Sequence, residues 1–362
     1  MLMNKTLLSI DQSRLFAVMF GGVGAEHGIS CISAGNIIKT ARACGYSLLP
    51  IGIARSGEMF IYLGDDKKIA DATCFDDSEH LVPTFPVRFG ERHGFLAEGE
   101  IISVTSVLVA LHGDYGEDGR VQGLLDCAGI VYTGCGTVTG AVASDKAFTK
   151  AVAESLGIPT LPWLLLTERD TAAAKIRAEE CIGYPMFIKP SGLGSSIGVS
   201  AVSSESDFDS AYEKAFALGG RVLVERALIG KSELECAYIC ASGKRLITPA
   251  GMVRTGGATY DYDTKYNNGS ADLTVRAEIL PEIANRIGRY TEELIEALSV
   301  RHLARVDYFL SDGGELYFNE INTFPGMTGS SLYSSMLEAA GVSRHDQIAA
   351  LLEAPLGEGR EW

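Results

Sequence analysis

The segment Leu303 to Thr328, LARVDYFLSDGGELYFNEINTFPGMT, constrains this chain more than any other stretch. Two runs of mixed apolar and polar residues flank Ser311-Asp312-Gly313-Gly314, and glycines there supply the positive φ that a tight hairpin loop needs. The simplest register, centred on that turn, pairs Asp307 with Phe318 and Arg305 with Glu320. Alternation then puts Arg305, Asp307, Phe318, Glu320 and Asn322 on one face. Two readings compete for that face: a solvated strand surface with one Arg–Glu pair, or a divalent-metal and anion site. The residues that follow, Asn322 to Thr328, favour the second. They form a loop punctuated by Pro325 and Gly326, where backbone N–H groups can point at a ligand beside the carboxylates.

The chain has 362 residues, 46% of them hydrophobic and 21% charged, enough for two or three domains with their own cores. A formal net charge of -15 argues against a nucleic-acid partner, whose sequence-independent affinity comes from clustered Lys and Arg. A phosphate ligand has to be met locally. The cysteines at 31, 44, 74, 127, 135, 181, 236 and 240 contain no C-x-x-C pair, which argues against a zinc site or a disulfide framework and for a reducing cytoplasm. No apolar run reaches membrane-spanning length, and Asp11 and Arg14 interrupt any signal-peptide pattern.

Residues 1–13 read as a loose arm. Leu15 to Phe20 is a short apolar run ending in Gly21-Gly22, and Ile29 to Cys44 reads as a helix, so the chain opens on a βα unit. Glu26 sits in its turn. Tyr46 to Ile53 and Thr105 to Leu111 repeat the strand signal, and the latter runs into His112-Gly113-Asp114-Tyr115-Gly116-Glu117-Asp118-Gly119. Ligand groups of open α/β sheets lie at the carboxyl ends of strands, which suits Glu26 and His112; a plain loop histidine bonded to backbone is the other reading of His112. One long helix is expected from Val138 to Leu156, carrying Lys146, and Gly157-Ile158-Pro159 stops it.

Strands and helices then alternate around Lys189-Pro190-Ser191-Gly192-Leu193-Gly194-Ser195-Ser196-Ile197-Gly198. Such a loop offers N–H and hydroxyl donors to an anion, and Lys189 adds a point charge. It is neither a P-loop nor a dinucleotide fingerprint, because no G-K-[ST] follows and a strand succeeds it. A flexible hairpin loop is the alternative, but Lys146 and Lys189 on separate elements turn the balance toward a nucleotide triphosphate. Further on, Glu233 to Ala241, Arg245 to Ile247 and Leu273 to Ile279 read as strands. Thr255 to Ala271 between them is long, glycine-flanked and tyrosine-rich, the character of a lid. Helices are expected at Pro281–Leu298, near 331–340 and at 344–354.

These parts resemble the D-alanine–D-alanine ligase family of ATP-grasp enzymes. The resemblance is carried by Asp145-Lys146, Lys189 to Gly198, Tyr260-Asp261-Tyr262 with Lys265-Tyr266, Arg305-Val306-Asp307 and Asn319 to Thr328. Gly21-Gly22 with Glu26, and His112-Gly113 with Glu117-Asp118-Gly119, add to it. It implies an α/β fold of three domains: an N-terminal Rossmann-like domain at 1–136, a central ATP-grasp subdomain at 137–224 and a C-terminal one at 225–362 with the lid at 255–271. It further implies ATP held by Lys146, Lys189, Ser195 and Ser196, adenine by Glu225, the Leu228 backbone and Phe318, and ribose by Glu233. Asp307, Glu320 and Asn322 match the family's ligands for two Mg2+ (or Mn2+) ions, all oxygen donors as a hard cation requires; a monovalent cation is an open addition.

The first D-alanine would sit near Glu26, Ile29 and His112, with Ser195 and Tyr266 completing a hydrogen-bonded chain to Glu26. Lys265 would reach phosphate, while Arg305 and the Gly326 N–H would stabilise a tetrahedral oxyanion. Ser331 and Leu332 would hold the second amino acid. An apolar Leu332 fits a methyl group, so D-alanine is expected over D-serine as second substrate; the Lys265-Tyr266 lid disfavours lactate. Gly28 and Ser330 stand where relatives often carry, respectively, a larger residue and His. The resemblance implies a cytoplasmic homodimer serving peptidoglycan precursor synthesis, acting on small molecules with no nucleic-acid or membrane partner. Another ATP-grasp carboxylate–amine ligase and a catalytically silent nucleotide-binding protein remain as alternatives.

Overall fold

The computed structural model describes residues 11–241, 243–254 and 272–356. The expected arm is therefore seen only from residue 11, and the lid with Lys265 and Tyr266 lies outside the described residues.

The opening βα unit forms as the apolar run and glycine turn predict. Strand β1 (Leu15–Gly21) leads into helix α1 (His27–Ala43), with Glu26 as the residue before its first turn. Phe16, Val18 and Phe20 enter one core while Leu15, Ala17 and Met19 enter another, so β1 is buried on both faces and reads as unbroken apolar sequence. Strand β2 (Ser47–Ile53) lies parallel beside it. Residues 54–104 hold elements that no strong sequence period announces: β3 (Met59–Tyr62), the one-turn α2 (Lys67–Ala70), β4 (Leu81–Pro83), and a small antiparallel sheet of β5 (Phe85–Phe89), β6 (Arg92–Ala97) and β7 (Glu100–Ile102).

After β8 (Ser106–Val109), helix α3 (Arg120–Ala128) and β9 (Tyr132–Thr133), the first sheet is complete in the order β4-β3-β2-β1-β8-β9. Strands β2 and β8 flank β1, both parallel to it. The order reverses between β1 and β8, and the crevice outside their carboxyl ends is where such sheets bind ligands. Glu26 and His112 follow those two ends.

The single helix expected over 138–156 is two. Helix α4 (Thr137–Ser144) stops at Asp145, whose extended backbone starts α5 (Lys146–Ser155). The Asp145 carboxylate accepts from the Ala147 and Phe148 N–H groups at 3.0 and 3.3 Å, as an N-cap should. It also takes Ser191 Oγ at 2.6 Å and Arg221 Nε at 3.1 Å. The break puts Lys146 on the first turn of α5, aimed across to the Leu193 carbonyl at 2.7 Å.

The second sheet holds β10 (Trp163–Leu166), β11 (Met186–Pro190), β12 (Ser200–Val202) and β13 (Val222–Arg226) in the order β10-β13-β11-β12, covered by α6 (Thr171–Cys181) and α7 (Glu205–Ala217). The third is built from β14 (Lys231–Ala241), β15 (Lys244–Ile247), β16 (Gly251–Arg254), β17 (Asp272–Thr274), β18 (Leu303–Ser311) and β19 (Leu316–Asn322). The strand expected over 273–279 is confined to β17. Helix α8 (Pro281–Ala297) packs one apolar stripe of Ile283, Ile287, Leu294 and Ile295 on this sheet. Helices α9 (Leu332–Ala339) and α10 (Arg344–Glu353) cross back to share a core with β1 and α1. Each fully buried Leu, Ile or Met in that seam is worth about 1.5–3 kcal/mol.

The central hairpin forms, but its register differs from the symmetric one. Tyr308 faces Phe318, and beyond a β-bulge Asp307 faces Glu320 and Arg305 faces Asn322. The extra residue is Asn319. Because side chains alternate, the shift turns Phe318 away from Arg305 and Asp307 into the core, fully buried with its ring 6.2 Å from Tyr308. Phe318 is thus not on the ligand face, while Arg305, Asp307, Glu320 and Asn322 keep it.

Asp145→Ala removes a helix cap, a buried hydroxyl partner and the Arg221 ion pair together, and should destabilise the protein by about 2–4 kcal/mol in urea titration. A loss below about 1 kcal/mol would mean the break at 145 is held by other contacts.

Candidate active site

The crevice beyond β1 and β8, the 191–198 loop and the ligand face of the β18–β19 hairpin surround one cavity of about 310 Å³. Glu26 reaches it from the N-terminal sheet, Ser195 from the central loop, and Arg305, Asn322 and Gly326 from the C-terminal sheet. A second cavity, about 110 Å³, lies between the second and third sheets and is lined by Lys189, Glu225, Leu228 and Glu233. Lys146, Gly194, Ser195 and Glu320 line both cavities, so the two are lobes of one site meeting at Lys146.

In the first lobe, the Ser195 hydroxyl donates to Glu26 Oε1 across the domain boundary. Ser195 and Ser196 both sit at positive φ, 49° and 58°, an uncommon conformation for serine that turns the loop's groups inward. Gly113 is glycine for a steric reason. A Cβ there would stand 2.0 Å from Glu26 Oε2, and its φ of +63° is left-handed. At Gly28 a Cβ meets nothing within 4 Å, so the wall beside the site is open there.

His112 is buried, its Nδ1 3.0 Å from the Phe324 carbonyl and its Nε2 2.9 Å from Ser33 Oγ. Burial lowers its pKa, against the opposing charge of Glu26. The ring therefore serves as a neutral hydrogen-bonding strut between the β8 end and the 322–328 loop. Glu117 does the same from the same loop: its two oxygens accept from the Gly113 N–H at 3.1 Å and the Phe324 N–H at 3.2 Å. Burial, reinforced by the charge of Glu26, raises its carboxyl to about 7. The sequence reading gave Glu117 no role beyond its motif. Ile29 is buried in the first turn of α1.

Arg305 lies flat on Asp307. Its Nε is 2.7 Å from Oδ1 and its Nη2 2.6 Å from Oδ2, while Nε is also 3.3 Å from Glu235 Oε2. Asn322 Nδ2 donates to Asp307 Oδ2 at 3.2 Å. Lys146 Nζ stands 3.2 Å from Glu320 Oε2. Burial opposes the Arg305 charge, yet Asp307 and Glu235 overcome it and raise its pKa well above the ordinary value. Two protein cations thus seat on Asp307 and Glu320, and with the Asn322 amide those oxygens make a hard donor set. Among the described residues no group of three or more His, Cys, Asp or Glu side chains is arranged to hold a metal. The set fits a cation such as Mg2+, which commonly binds one or two carboxylates and completes its shell with water and phosphate oxygens.

The second lobe turns on a buried charge triad. Glu225 is fully enclosed, with Lys189 Nζ 2.8 Å from Oε2 and Lys150 Nζ against Oε1. Burial pushes the Glu225 carboxyl up, but the charges of Lys150 and Lys189 outweigh it and hold it at about 2. Lys150 is one helical turn beyond Lys146 and wholly buried. That i,i+4 spacing was its only sequence signal, and it also describes an ordinary exposed pair. Lys231 was missed likewise; it sits over the Phe309 ring at 3.5 Å and pairs with Glu233 at 3.1 Å. In the wall of the first lobe, the Ser331 hydroxyl accepts from the Thr328 N–H at 2.9 Å, and the buried Leu332 starts α9.

Residues 15–135 match the family model described as D-ala D-ala ligase N-terminus, and residues 152–353 the model described as D-ala D-ala ligase C-terminus. The chain belongs to the D-alanine–D-alanine ligase family. The D-alanine–D-alanine ligase of Mycolicibacterium paratuberculosis is 36% identical, with 97% of this chain and 99% of that one covered. That of Deinococcus radiodurans is 34% identical over 95% of this chain and 99% of its own. Among solved structures, the VanG D-Ala:D-Ser ligase of Enterococcus faecalis superposes with a TM-score of 0.85 at 33% identity, covering 94% of this chain and 99% of that one. The D-alanyl-alanine synthetase A of Vibrio cholerae gives 0.82 at 28%, covering 96% and 100%. These ligase structures bear out the three-domain ATP-grasp fold.

The triad makes an ordered prediction. Glu225→Gln leaves two buried ammonium groups without their shared counter-charge and should cost about 3–5 kcal/mol, whereas Lys150→Met leaves a neutral Lys189–Glu225 pair and should cost under about 2. Because the folded pKa of Glu225 is depressed, its stabilisation is present above about 4.5 and disappears as pH falls toward about 2. Urea titrations at pH 7 and pH 3 should show the Glu225→Gln deficit shrinking at the lower pH; equal deficits at both would remove the carboxylate's charge as the cause.

Proposed function

We propose that this chain joins two D-alanines into D-alanyl-D-alanine, with ATP cleaved to ADP and phosphate, as a supplier of peptidoglycan precursors. The observation that carries the reading is the shared wall: Lys146, Ser195 and Glu320 line both the lobe between the second and third sheets and the lobe that Glu26 enters. A phosphoryl group transferred from one lobe to the other has to pass that wall. Membership of the family supports the use of ATP and of D-alanine.

In this reading the nucleotide lies in the second lobe, its base near Leu228 and Phe309, its ribose near Glu233, and its phosphates near Lys146, Lys189 and the 191–198 loop. Glu26 receives the ammonium of the first D-alanine. The carboxylate of that D-alanine attacks the γ-phosphorus, the bond to ADP breaks, and an acyl phosphate forms. The amine of the second D-alanine then attacks the carbonyl carbon, loses a proton, and phosphate departs. The protein's work is positioning and charge stabilisation. Arg305 and the Gly326 N–H face the oxygen that gains charge in the second step. Asp307, Glu320 and Asn322 would hold divalent magnesium or manganese, which supplies neutralisation of phosphate charge when bound. Lys265 and Tyr266 on the 255–271 segment belong to the same proposal, as do a homodimer and a cytoplasmic location. Among the described residues no helix is long and apolar enough to cross a membrane.

The D-serine acceptor is the second reading, favoured by the likeness to a D-Ala:D-Ser ligase structure. Leu332 and Leu273 line the cavity, while the Thr328 and Ser331 hydroxyls lie 2.9 Å apart and engage each other. A serine hydroxyl beside those leucines lacks a partner, which supports D-alanine. Phosphate release with D-alanine as the only amino acid should match dipeptide formation one to one, and D-serine as acceptor should show a lower kcat/KM; a higher value for D-serine overturns the choice. Arg305→Ala should leave ATP binding within a few-fold while ligation falls by about 10²–10³. Retained ligation would take Arg305 out of the oxyanion role.

A further inference from the structure

Glu235 lies in the first lobe and has no part in the reaction described so far. Strand β14 pairs antiparallel with β18, and the register sets Glu235 directly across from Asp307. The two carboxylates therefore stand side by side on one face, and Arg305, two residues before Asp307, lies against both. Its Nε is 2.7 Å from Asp307 Oδ1 and 3.3 Å from Glu235 Oε2. The Glu235 side chain is only 7% exposed, against 26% for Glu233 on the same strand face. A carboxylate so enclosed is costly unless it answers a cation, and among the described residues Arg305 is a cation paired with it.

The arrangement contains a conflict. Arg305 spends its Nε and Nη2 on both oxygens of Asp307, yet under the proposed function Asp307 also serves the divalent ion. A cation and a bidentate guanidinium compete for the same lone pairs. When Asp307 turns to the ion, Arg305 loses its closest partner at the moment its position matters. We propose that Glu235 is the positioning residue for Arg305, the carboxylate that keeps the guanidinium fixed against the reacting carbonyl once Asp307 is engaged. This rests on the functional reading above. Glu235 is the farther of the two acceptors on the shared Nε, and with an ion on Asp307 it would become the major one. It touches neither nucleotide nor amino acid, so its effect passes through Arg305 and falls on the second step, the attack of the amine.

Glu235→Gln keeps the shape and one acceptor but removes the charge. Its kcat for dipeptide formation should fall about 10- to 100-fold, as loss of an orienting partner typically does, with KM for ATP within about twofold. Scrambling of 18O between the bridge and non-bridge positions of ATP, run with D-alanine, reports acyl-phosphate formation and should be retained. Mn2+ affinity in the presence of ADP, read by electron paramagnetic resonance, should stay within about twofold, and Glu235→Asp should recover part of the rate. In an Arg305→Ala background, Glu235→Gln should cost nothing further.

Equal falls in scrambling and ligation, additive losses in the double variant, or a tenfold loss of Mn2+ affinity would each overturn the positioning role; the last would make Glu235 a metal ligand. A wild type that ligates and a Glu235→Gln variant that ligates as fast overturn this proposal alone. A wild type without D-alanine-dependent phosphate release overturns the functional reading and this proposal with it.

Discussion

The contact on which the rest depends is the Arg305 guanidinium laid across Asp307 and flanked by Glu235. Three carboxylates, Glu235, Asp307 and Glu320, converge on two cations, Arg305 and Lys146. In a partly enclosed site such groups cannot be left unmatched, and no single element supplies the match. Asp307 and Arg305 come from β18, Glu320 from β19, Glu235 from β14 and Lys146 from the head of α5. Lys146 reaches Glu320 only because Asp145 breaks the helix before it, and Asp145 is in turn held by Ser191 and Arg221. The helix break, the 191–198 loop and the hairpin are thus one electrostatic arrangement.

A second set of contacts ties that arrangement to the N-terminal sheet. Glu26 meets Ser195, while His112 and Glu117 both hold the Phe324 backbone. Apolar packing does the heavier part, since Phe324, Met327, Leu332 and Met336 join Phe16, Val18 and Phe20 in one core. The hydrophobic seam sets how the domains lie, and the polar contacts fine-tune where the site groups point. Burial of a neutral His112 and of a carboxyl raised to about 7 at Glu117 costs stability. That cost is borne at the site, where strained and mismatched groups are expected to collect.

Much of this was legible in the sequence because local rules sufficed: the β1 run, the glycine–serine loop, the hairpin turn and the Lys146–Lys189 pair each follow from short patterns. The hairpin register was not, because a bulge at Asn319 inserts one residue and no short pattern announces it. The symmetric register consequently puts Phe318 beside Arg305 and Asp307, whereas it packs against Tyr308. Asp145 reads as part of one helix, although Asp is also a favoured residue at a helix start. Lys150, Glu117 and Glu235 were missed for a common reason. Buried charges look like surface charges until a partner from another element is known, and here the partners lie 75, 207 and 70 residues away in Glu225, Phe324 and Arg305. Glu233 and Glu235, two apart in a strand, did signal a shared polar face. Residues 54–104 carried strands too short for periodicity to detect.

The acidity of the chain and its use of a polyphosphate are reconciled by the same pairing. At a net charge of -15 the long-range field repels a nucleotide, but screening confines that repulsion to about 8 Å at physiological ionic strength. Capture then depends on what lies within that distance. The local cations are stored on carboxylates: Lys189 and Lys150 on Glu225, Lys146 on Glu320, and Arg305 on Asp307 and Glu235. Paired in this way they leave, among the described residues, no cluster of unmatched positive charge at the site. Under the proposed function, a nucleotide that arrives with a divalent ion would bring an anion for the lysines and a cation for the carboxylates together. Each ion pair can therefore be exchanged without leaving a buried charge alone, whereas a nucleotide without its metal would free cations from carboxylates that then have nothing to hold.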